Sequence, residues 1–384
     1  MSTNTLSQVG RIAGCLFAAA TLATGCSSTA ENDIKIGAIL SLTGAAAPYG
    51  QDNQRGLQIA QQAINERGGI NGKRVTLDIQ DDAGDAAQAV ALAKRFAGQR
   101  NVIAIVGPTR TGATVAASKT LPDLKIPMMS VGATGDWQSA AGDFNPWTFR
   151  STRVDTYLVG PLLAFAKEQL DVRKLGIIYT ADDDWSVSVL KVYQRAADSL
   201  GISVVATESQ RTGDTDRSAQ LAKIKSASPD ALIVNTLATD APTIAAQARR
   251  LGISARLLGT AGFTNPQTWK LAGPGTLEGT TVADNYFAGS DRKVVRDFAT
   301  AYQAQFHTEP PPYAAYAYDG LMLVAEACRR ATNCSDRDQL RQALGSIRNF
   351  DGVLGTLTYH GSGDARKEPI ILQIAGTGFQ LIKR

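Results

Sequence analysis

From Ile34 onward, short apolar runs alternate with longer stretches in which apolar residues recur every three or four positions. "IKIGAIL" precedes "QRGLQIAQQAINER", "VTLDIQ" precedes "AAQAVALAKRFA", and "VIAIVG" precedes "ATVAASKTLPDL". "IPMMSVGA" then leads through a loop rich in Gly, Asp and Trp to "WTFRSTR". The alternation restarts with "LVGPLLAFAKEQL" and "KLGIIYT" and continues through "ALIVNTL" and "RLLGTA" to "EGTTVADNY". Short apolar strands separated by amphipathic helices imply parallel sheets covered on both faces. About ten strands strain the limit of one twisted open sheet, whereas two sheets of about five fit easily. The pattern therefore predicts an α/β protein of two doubly wound parallel-sheet lobes, with a first break near Arg150 to Val154 and a second near Asp284 to Asp291. Three helical stretches follow, within "RKVVRDFATAYQAQF", "YAAYAYDGLMLVAEACRRA" and "DRDQLRQALGSI", the last with Ser335 as its expected N-cap and Asp338 as the capping acid. The tail reads as a β segment, a Gly-rich turn and a final β segment, and no tandem repeat is visible.

Composition fits this picture without narrowing it: 384 residues, 44% hydrophobic, 19% charged, with 36 glycines, ordinary for a chain that buries more than one core. A net charge of +4 without a long Lys/Arg block leaves no nucleic-acid footprint. The N-terminus is more specific. "IAGCLFAAATLATGC" is an apolar core of signal-peptide length, too short to span a bilayer. Ala23-Thr24-Gly25-Cys26 resembles a bacterial lipobox, so 1–25 reads as a lipoprotein signal peptide, Cys26 as the lipidated first residue and 26–33 as a polar tether. "IAGC" ending at Cys15 fits the consensus better but has no apolar core before it. The plainer reading is a cleaved signal in which Cys26 is incidental. Export to an oxidising compartment favours a local disulfide between Cys328 and Cys334. Two thiols without a clustered His make only half a zinc site, so no metal is expected.

In open α/β sheets, ligands bind beyond the C-terminal ends of strands, where loops enter helix N-termini. "GPTRTGAT" has the glycine spacing of a nucleotide-binding P-loop, but Ala113 and Thr114 stand where Lys-Ser/Thr should be. What remains is a helix N-terminus, small residues around Gly107 and Gly112, and the hydroxyls of Thr109, Thr111 and Thr114. That set suits a single carboxylate better than a triphosphate, because a helix N-terminus carries only about half a positive charge; the same loop also serves merely to cap its helix. "VGATGDW" offers a second small-residue loop with Thr134 at its mouth. Tyr49 and Tyr313 are candidate pocket walls or simple packing residues, and "ADDDW" sets Asp182, Asp183, Asp184 and Trp185 at a strand end. Enzymatic signals are poor: His307 and His360 adjoin no nucleophile motif, and no cofactor turn is present.

The strings "IKIGAILSLTGAAAPYGQDNQRGLQIAQQAINERGGINGKRVTLDIQDDAGDAAQAVALAKRF", "VIAIVGPTRTGATVAAS" and "YAYDG" resemble the substrate-binding proteins of branched-chain (Leu/Ile/Val) amino-acid ABC transporters, the type I periplasmic binding proteins. The resemblance implies two lobes joined by a three-crossover hinge, with 34–150 plus 287–352 in the first and 151–286 plus 353–384 in the second. It implies an extracytoplasmic, lipid-anchored solute-binding protein that hands a small amino acid, amide, urea-like compound or organic acid to a membrane permease, without cofactor, metal or catalysis. A ligand-sensing regulator of the same fold and a lipoprotein hydrolase are the alternatives. By the same resemblance, Thr111, Gly112, Gly132 and Thr134 hold the ligand's polar end, while Tyr49, Trp185 and Tyr313 enclose its body. One departure stands out: the acid that pairs with an amino-acid ligand's ammonium falls on Ala261. Either Asp183, Asp184 or Asp240 replaces it, or the ligand has no α-ammonium, because a desolvated ammonium without a counter-ion is costly.

Overall fold

The computed structural model describes residues 33–135, 145–152, 154–359, 363–364 and 369–383. The expected leader with Cys15, the Cys26 anchor, His360 and the Asp136–Trp137 end of the second loop lie outside them. The first sheet comprises β1 (Ile34–Leu40), β2 (Val75–Asp81), β3 (Val102–Val106), β4 (Met128–Ser130) and β5 (Thr148–Arg150), in the order β2-β1-β3-β4-β5. All its pairings are parallel. Its connecting helices are α1 (Ala47–Glu66), α2 (Ala86–Gly98), α3 (Thr111–Ser118) and α4 (Leu121–Leu124). β3 is buried at every position, as a central strand covered on both faces must be. Asp85 starts α2 by accepting from the Gln88 amide at 2.7 Å. α1 begins about two turns earlier than the apolar periodicity suggests, so Tyr49 sits on a helix and not in a loop.

The second lobe holds α5 (Asp155–Gln169), β6 (Lys174–Thr180), α6 (Asp184–Ser199), β7 (Ser203–Gln210), α7 (Ser218–Ser226), β8 (Ala231–Asn235), α8 (Ala241–Arg250), β9 (Arg256–Gly259) and β10 (Thr281–Asp284). Two 3₁₀ turns, Ala261–Phe263 and Pro266–Ala272, lie between β9 and β10. The chain then forms α9 (Lys293–Phe306), α10 (Pro312–Arg330) and α11 (Arg337–Gly345), a hairpin of β11 (Phe350–Gly352) and β12 (Gly355–Leu357), and a second hairpin of β13 (Ile370–Ala375) and β14 (Gly378–Lys383). β13 pairs antiparallel with β10, so the second sheet has seven strands, β14-β13-β10-β9-β8-β6-β7, where five were expected.

α10 returns to the first lobe and lies along α1, where the bare Gly56 admits the Ala314 carbonyl; any Cβ at Gly56 would collide with it. The β11–β12 hairpin stays with α10: the amides of Val353 and Leu354 each donate to the Asp319 carboxylate at 2.9 Å. The boundary expected at 352/353 would cut that hairpin. The chain crosses to the second sheet only between 357 and 370, after earlier crossings within 150–155 and 284–293. At these crossings Arg150 is fully buried, donates to the carbonyls of Ala133 (3.2 Å) and Gly135 (3.1 Å), and pairs with Asp364. α11 is capped by Asp336, which accepts from the amides of Asp338 and Gln339, and not by Ser335, whose amide is held by Asn333. Cys328, on α10, is disulfide-bonded to Cys334 with Cα atoms 4.8 Å apart. Among the described residues, no helix is long and apolar enough to cross a membrane.

Candidate ligand-binding cleft

The C-terminal ends of both sheets face one another. From the first lobe come the β3–α3 loop, the residues after β4, and the first turns of α1 and α10. From the second come the β6–α6 loop and the residues after β8 and β9. A cavity between them is lined by Tyr49, Thr109, Arg110, Thr111, Gly132 and Tyr313 on one side and by Asp183, Trp185, Leu237 and Ala261 on the other. Its open space admits the centre of a water-sized sphere over only ≈ 20 Å³, about enough for one water molecule. A solute the size of an amino acid therefore enters only if groups that now bridge the lobes separate.

Those bridges are specific. The Tyr49 hydroxyl accepts from the Ala238 amide at 2.6 Å and donates to the Ala261 carbonyl at 3.1 Å, both in the second lobe. Its ring stacks on Tyr313 at 4.3 Å, and burial pushes its phenol far above the usual range, so it stays neutral. Asn265 donates across the cleft to the Asp52 carboxylate at 2.6 Å. Arg110, the N-cap residue of α3, forms an ion pair with Asp183, the N-cap residue of α6. Asp183 is 1% exposed and also accepts from the Ser186 amide at 2.8 Å.

Five of the seven ligand-contact candidates thus meet around the cavity: Tyr49, Thr111, Gly132, Trp185 and Tyr313. Gly112 and Thr134 do not line it. Gly112, the second residue of α3, abuts the Asp184 carboxylate, and a Cβ there would strike it. Thr134 is buried one layer behind, next to Asp155, its carbonyl accepting from the Asp155 amide at 2.8 Å. Of the three β3–α3 loop threonines, Thr109 and Thr111 line the cavity, and the Thr111 hydroxyl accepts from the Gly135 amide at 3.3 Å. Thr109 donates to Asn53 at 2.9 Å, and Thr114 lies against the Pro108 carbonyl and the Ser130 hydroxyl. Gly107 takes φ +107°, a conformation L side chains rarely adopt, and a Cβ would meet the Ile39 carbonyl.

Trp185 is aimed by an acid the sequence did not single out: its indole N–H donates to Asp155 at 2.8 Å. Burial pushes the Asp155 carboxyl up to about 7, against the lowering effect of its hydrogen bonds with Thr134 and Trp185 and of the nearby Arg150. Arg110 and Leu237 also went unpredicted. Arg110 had a visible signal, being the cation inside the "GPTRTG" loop; Leu237 had none. Of the acids weighed against Ala261, Asp240 is paired with Arg217 at 3.2 Å, Asp184 is exposed, and Asp183 is on the cavity wall. Among the described residues, no cluster of three or more His, Cys, Asp or Glu side chains has the geometry to hold a metal ion.

Comparison with known proteins agrees with this architecture. The chain is 28% identical over 340 residues to Leu/Ile/Val-binding protein homolog 3 of Brucella melitensis, spanning 88% of this chain and 90% of that one. The leucine-binding protein LivK of Thermotoga maritima has a similar structure, with a TM-score of 0.84 at 25% identity, covering 91% of this chain and 97% of that one. The branched-chain amino-acid transporter substrate-binding protein LivJ of Streptococcus pneumoniae, solved with isoleucine, gives 0.83 at 27% identity, covering 92% and 100%. With the periplasmic binding protein model matching residues 33–372, the chain belongs to the periplasmic binding protein family.

Proposed function

We propose that the chain is the extracytoplasmic solute-binding component of an ABC importer of the branched-chain amino-acid type, that it captures a small solute between its two lobes, and that it hands the solute to a membrane permease. The observation that carries this reading is the cavity walled from both lobes by Tyr49, Trp185 and Tyr313, with Thr111, the backbone at Gly132 and the Arg110–Asp183 pair supplying polarity. Such a site binds by closing, which excludes water and strengthens each polar contact. Curated relatives named for Leu/Ile/Val binding support an amino acid as the solute. The role is binding, not catalysis. In this reading 1–25 is removed, Cys26 carries the lipid, and the hinge is formed by the three crossings between the lobes.

A thermal-shift screen of the mature protein against the twenty amino acids, their amides and aromatic acids tests the proposal. A ligand at 100 times its Kd adds roughly 2.7 kcal/mol, so a true solute raises the melting midpoint visibly. Silence across the panel would remove the transport reading. Cys26→Ser is expected to move the protein from the membrane to the soluble fraction of cells that express it; unchanged membrane association would remove the lipid anchor.

A further inference from the structure

We propose that Arg110 and Asp183 set the net charge of the accepted solute: the solute inserts between them, its hydrogen-bond-accepting end on Arg110 and its donating end on Asp183, and it carries no net charge. The inference rests on the cleft reading above and adds a rule to it. The two side chains come from opposite lobes, both line the cavity, and they are bonded to each other across it. Since the remaining space holds about one water, a larger solute is admitted only as cross-lobe contacts part, and this ion pair is the charged contact on the cavity wall.

The charges around the pair leave little room for an ion. Asp183 is the one carboxylate among the described cavity-lining residues. Asp240, behind it, is balanced by Arg217, and Asp184 is exposed beside Gly112. Asp82 and Asp155, on the flanks, are drawn toward their neutral forms by burial. A zwitterion replaces one ion pair with two, and an amide donates and accepts without disturbing the balance. A plain carboxylate would take Arg110 and leave Asp183, 1% exposed, with only the Ser186 amide. A plain amine would take Asp183 and leave Arg110, 25% exposed, with only the Gly84 carbonyl and water. A buried charge stripped of its partner is strongly destabilising, so either monoion loses affinity. This arrangement also accounts for Ala261: the carbonyl there is occupied by Tyr49 and Thr264, and the acid for an ammonium stands at Asp183.

Calorimetric titration of the full chain with four probes on each of the alanine, leucine and phenylalanine skeletons tests this: the amino acid, the desamino acid, the decarboxylated amine and the desamino amide. The best net-neutral probe should bind at least about a hundredfold more tightly than the acid or amine of its skeleton. Asp183→Asn keeps the cap on Ser186 and should shift the preference toward the acid by tenfold or more; Arg110→Gln should shift it toward the amine. The rule is overturned if the unmodified protein binds an acid or amine as tightly as its neutral counterpart, if no neutral probe binds, or if Asp183→Asn leaves the amino acid to acid ratio unchanged. An acid that wins and is still weakened by Thr111→Ala would overturn the charge rule alone. Binding indifferent to both Thr111→Ala and Trp185→Ala would overturn the cleft reading itself.

Discussion

Replacing Tyr49 with Phe isolates the contribution of one cross-lobe hydroxyl. The ring keeps its place, because its stacking on Tyr313 at 4.3 Å involves no hydroxyl. The Ala261 carbonyl loses the tyrosine donor but keeps the Thr264 hydroxyl at 2.9 Å and the Thr264 amide at 3.2 Å. The Ala238 amide is different: it is fully buried, and Tyr49 is its acceptor at 2.6 Å. An orphaned buried donor costs about 1–3 kcal/mol. That cost falls only on the closed arrangement, since parted lobes let water reach the amide. If the cleft closed over a solute keeps this bond, solute affinity should therefore weaken about 5- to 150-fold at roughly 1.4 kcal/mol per factor of ten. Titration calorimetry with the tightest-binding amino acid of the screen measures the change, and small-angle scattering measures the accompanying shift toward a larger radius of gyration. A Kd within twofold of the parent, with unchanged scattering, would refute the claim that this hydroxyl holds the lobes together.

Arg337→Ala should destabilise the chain by about 2–3 kcal/mol in denaturant titration, because its guanidinium binds the carbonyls of Ala97, Gln99 and Val102 at 2.7–3.0 Å. Lys, lacking the planar fork, should rescue little of that loss. Cys334→Ser opens a loop closed across a separation of 6 and should lower stability by roughly 2 kcal/mol, an effect that dithiothreitol reproduces in the parent. Burial, opposed by Arg55, pushes the Asp52 carboxyl up to about 8, so the folded state holds a proton that the unfolded state releases from about pH 4 upward. Its contribution to stability is therefore full below the unfolded value and falls as pH rises to about 8. Asp52→Asn, which keeps the oxygen that Asn265 contacts, should flatten the decline of melting midpoint between pH 5 and 9; an unchanged slope would refute this.

The alternation of strands and helices was legible because each central strand is covered on both faces and so reads as an unbroken apolar run, as "VIAIV" does. The positions of Tyr49, Thr111, Gly132, Trp185 and Tyr313 followed once strand ends and a family resemblance were combined. What stayed hidden depends on packing between lobes. Nothing in "VNTLATD" marks Leu237 as a wall residue, since its exposure to the cavity is decided by a helix more than a hundred positions away. Asp155 was invisible for the same reason: its role is to accept from Trp185, 30 positions along. The tail strands were mistaken in number because β13 reads equally well as an isolated β segment until β10 offers it an open edge.

The β3–α3 loop shows how one strand–loop–helix arrangement serves different charges. In a P-loop the lysine follows the second glycine and stays with the phosphate that its own helix N-terminus holds. Here Ala113 occupies that place, and the loop's cation, Arg110, precedes the helix and crosses the cleft to Asp183. Asp183 in turn begins α6, so two helix N-termini of opposite lobes face each other, one introduced by a cation and one by an anion. Each N-terminus carries about half a positive charge. An anion at the first therefore gains from Arg110 and from α3, whereas an ammonium can be accommodated at the second only because the Asp183 carboxylate outweighs the dipole of α6. This asymmetry gives a dipolar solute one orientation, with its acceptor toward α3 and its donor toward α6. The same solute reversed would meet two repulsions in place of two attractions.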